Sequence, residues 1–354
     1  MTKEPYFIRV AKQSPTEFWI NNPTPDHADW ALANGATGCT NNPSYSQKMV
    51  DHPAEGPRAR ALLKQAMAEG HSADEVAAIF QRKLVKPIAE KFLPLFKKTN
   101  GQQGFVSIQG DPIHEDDPAV VIREALENRK VAPNICCKIP TTKAGLSAME
   151  YLVGHDVPLN ATEIFGIRQG VVLCETYQRA VKSTGKSPKL YVSHIAGIYD
   201  DYLKNDVERR AVDISPDVLW QAGLAVARKL YGIMEARRYP GTFIAGGARG
   251  LHHFTEMVGG KVCCTINWEG TADALLAQDP PVVYRLFNPV PQKVIDELMQ
   301  KLPDFKRGYL EDGLDVEEYE EFGPVRLFRS SFIKSWQRVL ALIKERRPAL
   351  EKVH

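Results

Sequence analysis

A lysine in the middle of an apolar strand is the residue of this sequence with the clearest chemical potential. The stretch ICCKIPTTKAG runs from Ile135 to Gly145 and places Lys138 between apolar neighbours. An unpaired ammonium in such surroundings is costly, so burial there lowers the pKa of the amine. A neutral lysine amine attacks carbonyl carbon. The placement therefore indicates Schiff-base chemistry; the alternative is a lysine whose stem is buried while its head reaches solvent or a carboxylate.

Neutral polar residues stand late in other apolar segments, at positions that alternation along each strand points inward. Their amides and hydroxyls can donate and accept hydrogen bonds without carrying charge. These candidates are Asn21, Asn42, Gln109, Asn160, Thr162 and Ser193.

Eight short apolar segments recur along the chain, and most of the intervals between them leave room for a helix. The predicted strands are Thr16–Asn22, Thr37–Pro43, Phe105–Asp111, Ile135–Thr142, Pro158–Phe165, Lys189–Gly197, Gly241–Gly247 and Val262–Asn267. Eight strand-and-helix units predict an α/β fold of the (β/α)8 TIM-barrel type, with its site at the carboxyl ends of the strands.

Residues beyond a minimal barrel lie in two places. Pro57–Lys98 contains two helical patterns between strands 2 and 3, and an extension from about residue 289 contains the patterns PQKVIDELMQKL and SFIKSWQRVLALIKERR. We expect residues 1–354 to form one barrel domain that carries this C-terminal helical extension. The terminal helices could cover the barrel mouth or form a subunit contact in a homo-oligomer.

Composition favours a small-molecule partner. With 45 basic and 43 acidic residues the net charge is +2, which gives no overall attraction to nucleic acid or to an anionic membrane. The six cysteines lack the spacing of a zinc site or a disulfide framework, so we expect them to be reduced core residues. The N-terminal stretch lacks a signal-peptide core and no apolar run is long enough to span a bilayer, so we expect a cytoplasmic protein.

Three stretches, KIPTTKAGL, PLNATEIFGIRQG and GCTNNPS, together resemble the transaldolase family, including its fructose-6-phosphate-aldolase-like branch. The resemblance runs in order from about Phe18 to Asn267. It implies a class I aldolase without a cofactor, in which Lys138 forms a Schiff base with a ketose and a three-carbon dihydroxyacetone unit is cleaved off or transferred.

The resemblance also implies roles for the neutral polar residues. Asn42 and Asn160 would bind the hydroxyls of the donor sugar, and Ser193 would line its pocket. Gln109 and Thr162 would hold the water that moves protons on and off the carbinolamine.

Three proton-handling positions depart from the family pattern. Asn21 stands where the family carries an aspartate. In the family this aspartate acts as acid and base on the C4 hydroxyl of the substrate, and the amide of Asn21 cannot exchange that proton. Gln109 stands where transaldolases carry a glutamate, a change shared with the aldolase-like branch, and Ile195 stands where that branch carries a tyrosine. The nearby substitutes that the sequence offers are Asp111, Tyr199 and Asp200.

The phosphate-binding positions are altered as well. Ile198 follows Gly197 where the family pattern has an arginine, and Gly247 replaces a serine, so that only Arg249 is kept. Losing one charged partner of a phosphate costs ~2–3 kcal/mol. We therefore expect an unphosphorylated sugar or a different terminal group, with Arg249 and Lys261 available for one anionic contact.

Two alternatives stay open. The imine could serve isomerisation, dehydration or a different carbon–carbon condensation, or the barrel could bind sugars without catalysis. A metal-dependent aldolase is disfavoured, and no metal is expected, because the sequence pattern places no histidine or carboxylate cluster at the strand ends.

Overall fold

Eight parallel strands form a closed barrel in sequence order, with β1 paired to both β2 and β8. A computed structural model describes residues 4–351, and the side chains of residues 4–346. The strands are β1 (Glu17–Asn21), β2 (Ala36–Asn41), β3 (Phe105–Gln109), β4 (Ile135–Pro140), β5 (Leu159–Ile164), β6 (Leu190–His194), β7 (Thr242–Ala245) and β8 (Val262–Ile266). The predicted (β/α)8 barrel is confirmed: seven predicted strands contain the observed one, and β2 begins at Ala36, one residue before its predicted start.

Helices surround the barrel, the first of them before β1 and the others after the strands. They are α1 (Tyr6–Gln13), α2 (Pro25–Ala33), α3 (Tyr45–Asp51), α4 (Gly56–Glu69), α5 (Ala73–Lys98), α6 (Pro118–Arg129), α7 (Lys143–Gly154), α8 (Ile167–Thr184), α9 (Ala196–Arg210), α10 (Pro216–Leu219), α11 (Ala222–Ala236), α12 (His252–Thr255), α13 (Asp273–Gln278), α14 (Gln292–Lys301), α15 (Pro303–Tyr309) and α16 (Gly323–Glu351). Among the helices of residues 4–351, none combines the length and the apolar character that a membrane crossing requires.

The two additions to the barrel occur where the sequence predicts them. Helices α3, α4 and α5 lie between β2 and β3, and the hydroxyl of Ser72 begins α5 by accepting a hydrogen bond from the Glu75 amide at 3.1 Å. The last helix begins at Gly323, earlier than the pattern that starts at Ser331. Phe328 and Arg329 are consequently helical, and this helix brings them to the carboxyl end of the barrel.

Large apolar side chains fill the amino-terminal half of the barrel interior. The rings of Trp19 and Tyr191 lie 4.8 Å apart, and Phe105 lies 6.0 Å from Tyr191. Gly38 leaves room for Trp19, because a Cβ atom at that position would lie 2.2 Å from the indole. This packed layer fills the amino-terminal half, so the open space inside the barrel lies at its carboxyl end.

The six cysteines are all free and buried, as predicted. Burial raises the pKa of the Cys137 thiol to about 12, so this cysteine beside the lysine strand is an inert core residue.

Candidate active site

Lys138 lies near the carboxyl end of β4, where it pairs in register with Gln109 of β3 and Asn160 of β5. Its side chain is 8% exposed, and within residues 4–346 its ammonium has no hydrogen-bond or ion-pair partner. Burial lowers the pKa of Lys138 from 10.5 to about 8, against the raising effect of Glu163 and Glu115. The amine is therefore neutral in a substantial fraction of molecules near neutral pH.

The residues after Lys138 turn the chain sharply from strand to helix. Pro140 ends β4, and Thr142 caps α7 by accepting a hydrogen bond from the Gly145 amide at 3.3 Å. A Cβ atom at Gly145 would lie 1.9 Å from the carbonyl oxygen of Pro140, so only glycine allows this close approach. The stretch KIPTTKAG thus fixes the position of the lysine relative to the barrel mouth.

A cavity of about 340 Å³ opens beside Lys138 at the carboxyl end of the barrel. Phe328 and Phe332 of α16 form part of its wall, and the Nζ atom of Lys138 lies 5.8 Å from each ring centroid. Five residues that the sequence nominates line this cavity together: Asn21, Asn42, Lys138, Ser193 and Arg249.

Hydrogen bonds between neutral groups hold the asparagines in place. Asn21 donates to Asn267 Oδ1 at 3.0 Å and accepts from the Thr40 hydroxyl at 2.9 Å. Asn42 Oδ1 accepts from Asn22 Nδ2 at 2.9 Å. These contacts orient the amides at the cavity wall, which includes no carboxylate from the side chains of residues 4–346.

The remaining predicted residues lie deeper, around the lysine rather than along the large cavity. Asn160 donates to Ser107 Oγ at 2.9 Å, and its Oδ1 and the Oγ1 of Thr162 are buried without a partner among the described residues. Gln109 and Lys138 border a second cavity of about 20 Å³. This volume accommodates one water molecule.

The three substitutes that the sequence offers are engaged elsewhere. Asp111 borders the small cavity, but its two oxygens accept from the Ile113 amide and contact His114 Nδ1, both at 2.7 Å. This contact raises the pKa of His114. Tyr199 donates to the carbonyl of Asp304 at 2.8 Å.

The sequence reasoning missed a group of buried charges beside Lys138. Gln109 Nε2 donates to Glu115 Oε2 and to Glu163 Oε1, each at 3.2 Å. Arg329 of α16 donates to Glu115 Oε1 at 2.8 Å. Burial raises the pKa of Glu163 to about 7 and also raises that of Glu115. The glutamate after Thr162 in NATEIF could have indicated this group, but strand alternation predicts that its side chain points outward.

Two histidines and an aspartate meet beyond β6 and β7. The ligating atoms of Asp200, His252 and His253 lie within 4.8 Å of one another and could hold a metal ion. The prediction of no such cluster is wrong, because Asp200 and the histidines follow different strands and meet only in the fold. His253 uses both ring nitrogens for hydrogen bonds, to Asp200 Oδ2 at 2.9 Å and from the Arg249 amide at 3.3 Å. The histidine thereby ties the loop that carries Arg249 to α9.

The cations at the cavity differ from those the sequence suggests. Arg249 is half exposed and forms an ion pair with Asp201 Oδ2 at 2.5 Å. The prediction that Lys261 lies at the site is wrong, because this residue directly precedes β8 and is at the amino end of the barrel. Lys48 lines the cavity instead and donates to the carbonyl of Asn22 at 3.0 Å.

Comparison with protein families gives one match that spans most of the chain. Residues 19–306 match the family described as Transaldolase/Fructose-6-phosphate aldolase. The matched range contains all the predicted site residues and ends before α16.

Individual relatives match a shorter part of the sequence. A transaldolase from Mycobacterium bovis is 26% identical over 202 residues, which are 55% of this chain and 53% of the relative. Transaldolase 2 from Streptomyces avermitilis is 27% identical over 207 residues, 56% of this chain and 55% of the relative. The chain thus spans about half the length of the curated relatives it matches.

An IMP dehydrogenase/GMP reductase-like protein from Corynebacterium glutamicum has a TM-score of 0.35 and 14% sequence identity, and the match covers 90% of this chain and 83% of that chain.

Proposed function

Because this chain belongs to the transaldolase/fructose-6-phosphate aldolase family, we propose that it is a class I aldolase or transaldolase that forms a Schiff base through Lys138. The observation that carries the proposal is a buried amine with a lowered pKa that opens onto a cavity of about 340 Å³. At pH 7 a pKa of about 8 leaves about one amine in ten neutral, against about one in three thousand for an unshifted lysine.

The reaction begins when the neutral amine attacks C2 of a ketose. Loss of water from the carbinolamine gives an iminium ion, which accepts the electron pair released when the C3–C4 bond breaks. The C4 hydroxyl gives its proton to water as the aldehyde leaves, and a three-carbon enamine stays on the lysine. The enamine attacks a second aldehyde in a transaldolase reaction, or it is protonated at C3 and hydrolysed to dihydroxyacetone in an aldolase reaction.

The neutral polar residues suit recognition of sugar hydroxyls. Asn42 and Ser193 line the same cavity as Lys138, and Asn160 is its in-register neighbour on β5. The unpartnered oxygens of Asn160 and Thr162 are available to a bound hydroxyl or to water. Gln109 adjoins the space for one water beside the lysine.

The substrate is proposed to be unphosphorylated or to carry a different terminal group. The reason is that Asp201 already neutralises Arg249, while Ile198 contributes an apolar side chain to the cavity wall. A sugar phosphate would have to compete with that carboxylate for its guanidinium partner.

Reductive trapping tests the lysine assignment. The protein is incubated with dihydroxyacetone or fructose and borohydride, and the modified peptide is identified by mass spectrometry. We expect a stable adduct on Lys138 that disappears in Lys138→Met and persists in Lys48→Met, which removes the other lysine of the same cavity. A protein that gives no adduct, or gives the same adduct in Lys138→Met, contradicts the proposal.

Product analysis tests the reaction and the substrate. Incubation with fructose 6-phosphate and erythrose 4-phosphate is expected to give little product, whereas unphosphorylated ketose and aldehyde pairs are expected to exchange or release a three-carbon unit. Turnover of the phosphorylated pair at ordinary enzyme rates would refute the substrate proposal. A product that keeps all the carbons of the ketose would instead indicate isomerisation or dehydration.

A further inference from the structure

We propose that Glu163 is the acid and base that exchanges protons with the substrate during Schiff-base formation at Lys138. This inference rests on the proposed function and extends it to the proton-transfer group, which is a carboxyl on β5 rather than one on β1 or β3.

Backbone geometry brings the Glu163 side chain to the lysine. The register between β5 and β6 shifts between Ala161 and Ile164, and Glu163 has a φ of 67°. This left-handed conformation breaks the alternation that would point the side chain outward. The carboxylate instead reaches Gln109 of β3 at 3.2 Å. Because β4 lies between β3 and β5, and Gln109 pairs with Lys138, the carboxylate lies on the part of the barrel that carries the amine, close enough for its charge to raise the pKa of Lys138.

A buried glutamine holds this conformation in place. Gln169 Nε2 donates to the carbonyls of Glu163 at 2.9 Å and Thr141 at 3.2 Å. Its Oε1 accepts from the amides of Phe165 and Gly166 at 2.9 and 3.1 Å. A non-glycine residue in the left-handed region costs ~1–2 kcal/mol. Four hydrogen bonds from one fully buried side chain offset that cost and fix the direction of the carboxyl group.

One oxygen of Glu163 is free to exchange a proton. Oε1 accepts the hydrogen bond from Gln109, whereas Oε2 is buried with no partner among the described residues. A buried carboxylate oxygen without a partner is costly when ionised, which favours binding of a proton or of a substrate hydroxyl there.

The charges around Glu163 leave it near the balance between its two protonation states. The ionisable groups that face it are Lys138 of β4, Glu115 of the loop after β3, Arg329 of α16, and Glu320, which precedes α16. Arg329 is committed to Glu115 at 2.8 Å and lies 3.9 Å from Glu320. The positive charge of Arg329 is thus shared among several carboxyl groups, and burial raises the pKa of Glu163 to about 7.

Glu163 acts as an acid when the Schiff base forms and as a base when it is hydrolysed. Protonated Glu163 gives its proton to the C2 oxygen of the carbinolamine, the C–O bond breaks with both electrons leaving on oxygen, and water departs. The nitrogen lone pair forms the C=N bond of the iminium, and Glu163 becomes a carboxylate. In hydrolysis the same carboxylate takes a proton from the attacking water, which restores the starting acid.

The test compares Glu163→Gln with Glu163→Asp, and Glu256→Gln is the control for the loss of a partly buried, arginine-paired glutamate outside the site. For wild type we expect a bell-shaped dependence of kcat/KM on pH, with limbs near the pKa values of about 7 and about 8 of Glu163 and Lys138. Glu163→Gln is expected to lose about 10²- to 10⁴-fold in kcat and to lose the descending limb. Glu163→Asp should retain that limb at reduced rate.

Reductive trapping separates failure of this inference from failure of the proposed function. If wild type yields no adduct on Lys138, the proposed function fails and Glu163 has no Schiff base to serve. If wild type yields the adduct and Glu163→Gln keeps the wild-type rate and both limbs, the role of Glu163 is refuted while the Schiff base stands. Near-ultraviolet circular dichroism checks that each variant is folded, and a folded Glu163→Asp with a single-limb profile also refutes the role.

Discussion

The Nζ atom of Lys138 lies 5.8 Å from the ring centroid of Phe332, a residue of the C-terminal helix α16. Two opposing effects of this ring act on the amine. Excluding water favours the neutral form, and an aromatic face favours the ammonium by ~0.5–2 kcal/mol. The pKa of Lys138 falls from 10.5 to about 8, which corresponds to ~3 kcal/mol in favour of the neutral amine, so desolvation dominates.

Phe332→Ala is therefore expected to raise the pKa of Lys138 toward 10.5, because water enters where the ring was. The rate of borohydride trapping at pH 7 should fall about tenfold, since that rate follows the fraction of neutral amine. The measurement is the pH at which trapping is half-maximal. Phe332→Leu is the matched control, since it keeps apolar cover without an aromatic face and should leave the midpoint near wild type. A midpoint in Phe332→Ala at or below the wild-type value would contradict the shielding role.

Asp201→Asn is expected to strengthen binding of phosphorylated sugars. The carboxylate of Asp201 pairs with Arg249 Nε at 2.5 Å, and both side chains are half exposed, so the pair is worth about 1 kcal/mol or less. Freeing the guanidinium should lower the inhibition constant of fructose 6-phosphate up to about fivefold and leave that of fructose unchanged. The exposed Asp312→Asn carries the same charge change outside the cavity and is the control. Equal effects of the two substitutions would show that only net charge matters.

The strands and the lysine were predictable because both depend on local sequence. Runs of buried β-branched residues specify parallel strands, and the Pro140, Thr142 and Gly145 signals that follow Lys138 mark a strand end, a helix cap and a close backbone approach. Such features depend on residues a few positions apart, so the local sequence is enough to predict them.

The acids and the wall of the site were not predictable, for two physical reasons. Glu163 turns inward because its backbone is left-handed, whereas strand alternation predicts side-chain directions only for extended backbone. Arg329 reaches Glu115, and Phe332 reaches Lys138, only because α16 docks on the barrel mouth. Asp200 meets His253 only because β6 and β7 are neighbours. Contacts between residues far apart in sequence depend on docking, which no local pattern encodes.

Gly38→Ala is expected to destabilise the barrel by about 1–3 kcal/mol, because the added methyl group would meet the buried Trp19 indole at 2.2 Å and the packed interior cannot yield without strain. The free energy of unfolding in urea measures this loss. Gly232→Ala is the control: a methyl group there meets nothing within 4 Å, and alanine favours the helix α11 by ~0.5–1 kcal/mol. A Gly38→Ala protein as stable as wild type would show that the Trp19 layer is loosely packed.

Glu163→Gln is expected to stabilise the protein at alkaline pH while it impairs activity. The folded-state pKa of Glu163 is raised from 4.5 to about 7, so its protonated form is favoured by folding. Its contribution to stability is fully present below pH 4.5 and is lost as pH rises through 7.

The Glu163→Gln variant does not lose stability in this way as pH rises. Its free energy of unfolding relative to wild type should therefore be higher at pH 8 than at pH 5, by up to about 3 kcal/mol. Urea unfolding at the two pH values measures the difference. If the two proteins differ in free energy of unfolding by the same amount at pH 5 and pH 8, Glu163 is not held as a buried acid. An acid with the same pKa in the folded and unfolded states adds no pH dependence to folding.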